Sequence, residues 1–150
     1  GLDRNTFYLT NVVKHFKFEA QSGHRVGSGG KVRLHKSPSV AETEACQAWL
    51  DAELETVNPE IIVCLGATAI RSQLGPQIKL KNERGQWFQK DQRIYLATYH
   101  PSFVLRQRGQ VQKTKAFSLL VSDLAQVAQQ LQAQRPPPQA QTATTQTQSH

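Results

Sequence analysis

Residues 61–74, IIVCLGATAIRSQL, decide how this chain is to be read. Ile61 to Leu65 is an unbroken apolar run with no polar alternation, which suits a strand of a parallel sheet covered on both faces. Gly66 ends the run, and Ala67 to Leu74 reads as a short helix stopped by Gly75 and Pro76. A strand, a turn and a helix in that order form the unit from which layered α/β folds are built.

Upstream, Ser39 followed by Glu42 makes a capping box, and Cys46, Trp49, Leu50, Leu54 and Val57 recur at helical spacing. A helix is therefore predicted over about 40–57, ended by Pro59. Phe7 to Val13, FYLTNVV, is rich in aromatic and β-branched residues and suits a buried strand. Residues 17–39 are polar, with Gly23, Gly27, Gly29 and Gly30 among interspersed basic residues, and predict a long mobile loop. Downstream, residues 78–89 carry a polar turn around Asn82 to Gly85 and read as a hairpin or an irregular excursion. Arg93 to Thr98 is a further strand, delivering Tyr99, His100, Pro101 and Ser102 at its C-terminal end. A last helix is expected over about 113–133, with Phe117, Leu120, Val121, Leu124, Val127, Ala128 and Leu131 in one apolar stripe. The expected organisation is one domain over 1–133 and a disordered, low-complexity Pro/Gln/Thr-rich tail over 134–150.

Alternation of strands and helices implies a three-layer αβα fold around a central, mostly parallel sheet, whose binding crevice lies at the C-terminal strand ends. Thr10 and Asn11, Gly66 to Thr68, and His100 to Ser102 occupy such ends. A net charge of +7 favours a polyanionic partner such as nucleic acid. No apolar run approaches the roughly 18 residues of a spanning helix, and the N-terminus lacks signal-peptide features, so the chain reads as soluble and cytoplasmic. Cys46 and Cys64 are too few for a disulfide framework, leaving metal ligation or burial. The chain opens Gly-Leu-Asp-Arg and contains no methionine, from which a missing upstream segment is expected.

Four stretches, LDRNTFYLTNVVKHFKF (2–18), KVRLHKSPS (31–39), PEIIVCLGATA (59–69) and ATYHPSFVLR (97–106), resemble in order and separation the uracil-DNA glycosylases of the family-four type. The likeness covers roughly residues 1–133, and the histidine-bearing loop is similar to that of the UdgX subgroup. This resemblance implies uracil excision from DNA as a repair activity, with single-stranded DNA preferred and the protein acting as a monomer. It implies that Asn11 reads uracil, since an amide offers both a donor and an acceptor to O4 and N3–H. His100 would donate to uracil O2 as negative charge develops there. His35 would attack the sugar C1′ and remain attached, so that a single turnover ends in a protein-DNA crosslink.

Lys31, Arg33, Lys36, Ser102 and Arg106 become candidate DNA contacts, and His24 a second, weaker nucleophile candidate. Val32 stands where the subgroup carries a second arginine. The family's iron-sulfur cluster makes His15 and Cys46 two of four ligands to a 4Fe-4S centre, the other two being absent from this chain, whereas Cys64 reads as core. The family's first motif, a GEQPGDQED-like turn with an acidic residue and a following aromatic, has no counterpart here, and its strand lies centrally in that fold. Loss of that strand predicts exposed sheet edges and apolar surface. Two other readings remain open: a turnover glycosylase that leaves an abasic site, and a noncatalytic nucleic-acid-binding remnant.

Overall fold

The computed structural model describes residues 2–14, 18–21 and 32–134, with 18–21 and 32–35 described as backbone. At its centre β3 (Ile61–Leu65) and β5 (Arg93–Thr98) pair in parallel, in register from Ile61 opposite Ile94 to Leu65 opposite Thr98. β4 (Trp87–Lys90) joins the other side of β5 as its antiparallel hairpin partner, so the sheet order is β3-β5-β4. The hairpin turns on Asp91 and Gln92, both with positive φ (50° and 63°), as a two-residue turn matched to strand twist requires. The predicted 78–89 excursion thus resolves into a short helix, α3 (Leu80–Glu83), followed by the first arm of this hairpin.

Strand alternation gives the sheet two apolar faces. On one, Cys64, Tyr95 and Ala97 pack with Ile70 and Leu74 of α2 (Gly66–Leu74), with Ile78, Leu80 and Phe88 at the margin. On the other, Leu65 borders a cluster of Val104 from α4 (Pro101–Leu105) with Ala116 and Leu120 from α5 (Gln110–Gln134). Helices on both faces of a small mixed sheet make the three-layer α/β arrangement the sequence implied. No helix among the described residues is long and apolar enough to cross a membrane.

α1 (Val40–Val57) begins as predicted. The Ser39 N–H donates to Glu42 Oε2 at 2.7 Å, and the Glu42 N–H donates to Ser39 Oγ at 3.2 Å. The helix ends at left-handed Asn58, just before Pro59. Arg93 Nη2 donates to the Leu54 carbonyl at 3.3 Å and Ser72 Oγ to Gln47 Oε1 at 3.1 Å, fastening α1 beside the sheet and α2.

Three sequence expectations need correction. Phe7 to Val13 is not a strand, and Leu9 is 65% exposed, because a strand requires a ladder and none of the described strands pairs with this segment. Residues 17–39 are not wholly loop, since β1 (Phe18–Gln21) and β2 (Val32–His35) form an antiparallel ribbon with Phe18 opposite His35 and Gln21 opposite Val32. The VRLH segment alternates apolar and polar residues at the strand period, a signal masked by its basic content. Finally, the buried stripe of α5 is Ala116, Leu120, Asp123 and Val127, so Phe117 and Val121 lie outside it and are exposed, as is Trp49 on α1. The predicted tail falls outside the described residues except at its first position, Gln134, which ends α5.

Candidate functional site

β5 carries the chain to His100, which caps α4 with Pro101 in the first helical turn. The Ser102 backbone N–H donates to His100 Nδ1 at 3.0 Å, and Ser102 Oγ stands 2.9 Å from the same nitrogen. A ring nitrogen that accepts from an amide carries no proton, so the neutral ring is the Nε2–H tautomer, with its donor on an exposed side chain. Gly66, at the end of β3, lies against this turn. It has φ 86°, and a Cβ there would stand 3.0 Å from His100 Cβ. Only a glycine lets the two strand ends close this far. Two of the three predicted strand ends therefore converge.

Asn11 is exposed, and the contacts around it run to α1. Lys14 Nζ lies 2.6 Å from Glu53 Oε2, Thr10 Oγ1 donates to the same oxygen at 2.7 Å, and Tyr8 OH donates to Glu53 Oε1 at 3.2 Å. Lys14 also donates to the Asn11 carbonyl at 2.9 Å. The hydrogen bond from Lys14, and after it that from Thr10, hold the Glu53 carboxyl below its ordinary value of 4.5.

His35 is the last residue of β2, with Arg33 opposite Ala20 in the same ribbon and Lys36 following directly. Lys31, His24 and His15 lie outside the described residues. Ser102 sits half-buried in the His100 turn, and Arg106 is exposed at the end of α4. Arg108, Lys113 and Lys115 follow Arg106 around the start of α5.

Cys46 is buried on α1 and borders an open recess of about 450 Å³ shared with Lys14, Ala45 and Trp49. Cys46 offers a thiol, the kind of donor an iron-sulfur cluster takes, and His15 lies outside the described residues. No group of three or more His, Cys, Asp or Glu among the described residues could hold a metal, so the described donor set is incomplete. Cys64 is a core residue, its thiol pushed up by burial from 9.0 to about 12.

Behind His100 stands a network that sequence reasoning missed. Arg84 Nη1 bridges both oxygens of buried Asp123 at 2.6 and 2.8 Å, and Thr98 Oγ1 donates to Asp123 Oδ2 at 2.5 Å. The lone acid among Leu120, Leu124 and Val127 was its only sequence signal.

Fold and site together define an α/β protein that presents a tautomer-fixed histidine donor, backed by a strand-end glycine, where two parallel strands end. The sequence profile of the uracil DNA glycosylase superfamily matches residues 1–125, and the chain belongs to that superfamily. It is similar to the type-4 uracil-DNA glycosylase of Thermotoga maritima, 30% identical over 113 residues that cover 73% of this chain and 50% of that protein. It is also similar to the type-4 uracil-DNA glycosylase of Sulfurisphaera tokodaii, 27% identical over 113 residues that cover 70% of this chain and 44% of that protein. The chain spans about half the length of the curated relatives it matches.

Proposed function

We propose that the protein to which this chain belongs is a monomeric, cytoplasmic DNA-repair protein that recognises uracil in single-stranded DNA, cleaves its glycosidic bond and is captured on the sugar through His35. The observation that carries the uracil chemistry is the His100 ring, fixed as an Nε2–H donor by the Ser102 amide. When the C1′–N1 bond breaks, its electron pair leaves with the base, and negative charge spreads to uracil O2. A donor already oriented toward that oxygen stabilises the charge without reorganising. Asn11 reads O4 and N3–H of the extruded base. Lys31, Arg33, Lys36, Ser102 and Arg106 hold the phosphates on either side.

Capture rests on the resemblance of KVRLHK, residues 31–36, to the loop of the UdgX subgroup. The lone pair of an imidazole nitrogen of His35 forms the bond to C1′, the other ring nitrogen gives up its proton to water, and the uracil anion takes up a proton. His15 and Cys46 would serve as two ligands of a 4Fe-4S cluster, which when bound would staple the N-terminal segment to α1.

Incubated with a uracil-containing oligonucleotide, the full-length protein is expected to give a species that survives heat and detergent on a denaturing gel. His35→Ala should abolish it, and His35→Ser should admit water and release an abasic product. An intact protein that yields an abasic site and no adduct is a turnover glycosylase instead. Brown protein under anaerobic purification, bleached by Cys46→Ala, is the outcome expected for the cluster; colourless protein with full activity would leave Cys46 a core residue.

A further inference from the structure

We infer that Asp123 is a positioning residue for His100, acting through Thr98 and Arg84; the functional part of this inference rests on the uracil chemistry proposed above. Asp123 is 1% exposed, in a helical stripe whose other members, Ala116, Leu120 and Val127, are apolar. Packing α5 on the sheet needs no carboxylate there, and desolvating one is costly unless its partners are fixed.

Its partners all converge on the residues that lead into His100. Thr98, the last residue of β5, donates to Oδ2. Arg84 binds both oxygens, and its Cζ stands 5.8 Å from the Tyr99 ring centroid, while Tyr99 stacks on Phe103 at 4.3 Å with 22° between the planes. The Gly85 N–H donates to the Ala97 carbonyl at 2.7 Å. Gly85 has φ 76°, and a Cβ there would meet Asp123 Oδ1 at 2.9 Å, so the backbone comes this close only as glycine.

Residues 97, 98 and 99 are thus held from α5 and from the link between α3 and β4, and Phe103 is held on the far side of the turn. His100 lies between these clamped residues, with Gly66 as its floor. A tilt of the 98–99 backbone would carry the imidazole off Gly66 and loosen the Ser102 amide from Nδ1, mixing the two ring tautomers. The carboxylate therefore sets where the Nε2–H donor stands, while touching neither base nor sugar.

Thr98→Val and Asp123→Asn in the full-length protein test this, each measured by single-turnover uracil release, by oligonucleotide Kd and by the ring ¹⁵N signals of His100. The expected result is a release rate lowered about 10- to 100-fold at unchanged Kd, with the ring signals moving from a single Nε2–H pattern toward averaged tautomers. Unchanged release and ring signals in both variants, or a loss accounted for wholly by weaker binding, would overturn the inference. If Asp123→Asn fails to fold, Thr98→Val, which removes one hydroxyl and leaves the Arg84 pair, carries the test. If the unmodified protein releases no uracil, the proposed function falls, and the ring signals alone decide the positioning role.

Discussion

Phe7–Val13 and Ile61–Leu65 are built from much the same β-branched and apolar residues, yet only the second is a strand. Ile61–Leu65 has β5 along one edge and α2 across one face, so the backbone groups on that edge are paired, Cys64 is buried and its neighbours are half-buried. Among the described residues Phe7–Val13 has neither, and its polar side chains reach instead for one carboxylate on α1. Strand propensity is a preference for a half-buried pleated surface, and it is expressed only where neighbouring strands supply that surface. The site follows the same division: Gly66 and His100 follow the ends of paired strands and lie against each other, whereas Asn11 lies in a segment that pairs with none of the described strands.

The largest effect expected from this contrast is on stability. Leu96, fully buried in β5, should cost about 2–5 kcal/mol as Leu96→Ala in the 150-residue chain, whereas Leu9→Ala, at a residue 65% exposed, should stay within about 0.5 kcal/mol. Urea unfolding of both variants measures the gap. A comparable cost at Leu9 would mean that the segment has a packing partner in solution, and the contrast would break.

A smaller effect is expected in recognition. In the full-length protein, Asn11→Ala should remove about 1–3 kcal/mol of the preference for uracil over thymine oligonucleotides, leaving weak, salt-dependent binding to both. Competition gel shifts at fixed salt read this directly. Equal weakening toward the two bases would reduce Asn11 to a structural residue.

The smallest concerns how the unpaired segment is held. The folded-state Glu53 carboxyl lies below its ordinary value of 4.5, held there first by Lys14 and then by Thr10. A depressed carboxylate contributes stability that is present above the unfolded value and lost as pH falls through the folded one. For a partly exposed pair this amounts to no more than about 1 kcal/mol. Near-ultraviolet dichroism of Tyr8 should change below pH 4.5, and Glu53→Gln should flatten that change. An identical acid transition in the variant would show that Glu53 is not the anchor.

What the sequence made legible was local. The Ser39–Glu42 capping box lies within one helical turn, and IIVCLGATAIRSQL carries its strand, its glycine and its helix in fourteen residues. The His100 turn was legible because the strand, the Pro and the Ser that build it are contiguous. The fate of FYLTNVV was not, because a strand's partner is tertiary information. The Asp123 network was equally hidden, its partners lying 39 and 25 residues away in Arg84 and Thr98. The β1–β2 ribbon was hidden because the basic residues and glycines around it obscure its period of two. His15 and Lys31 fall outside the described residues, so their roles rest on the resemblance alone.

The central claim is that this fold places the Nε2–H of His100 to stabilise departing uracil, whatever then happens to the sugar. Free uracil released from a uracil-containing single strand, quantified by mass spectrometry after a denaturing quench, counts bond cleavage whether or not capture follows. The full-length protein should release uracil stoichiometrically and none from thymine controls, and His100→Ala should slow that release about 100-fold or more. No uracil released by the intact protein, or release undiminished in His100→Ala, would contradict the account.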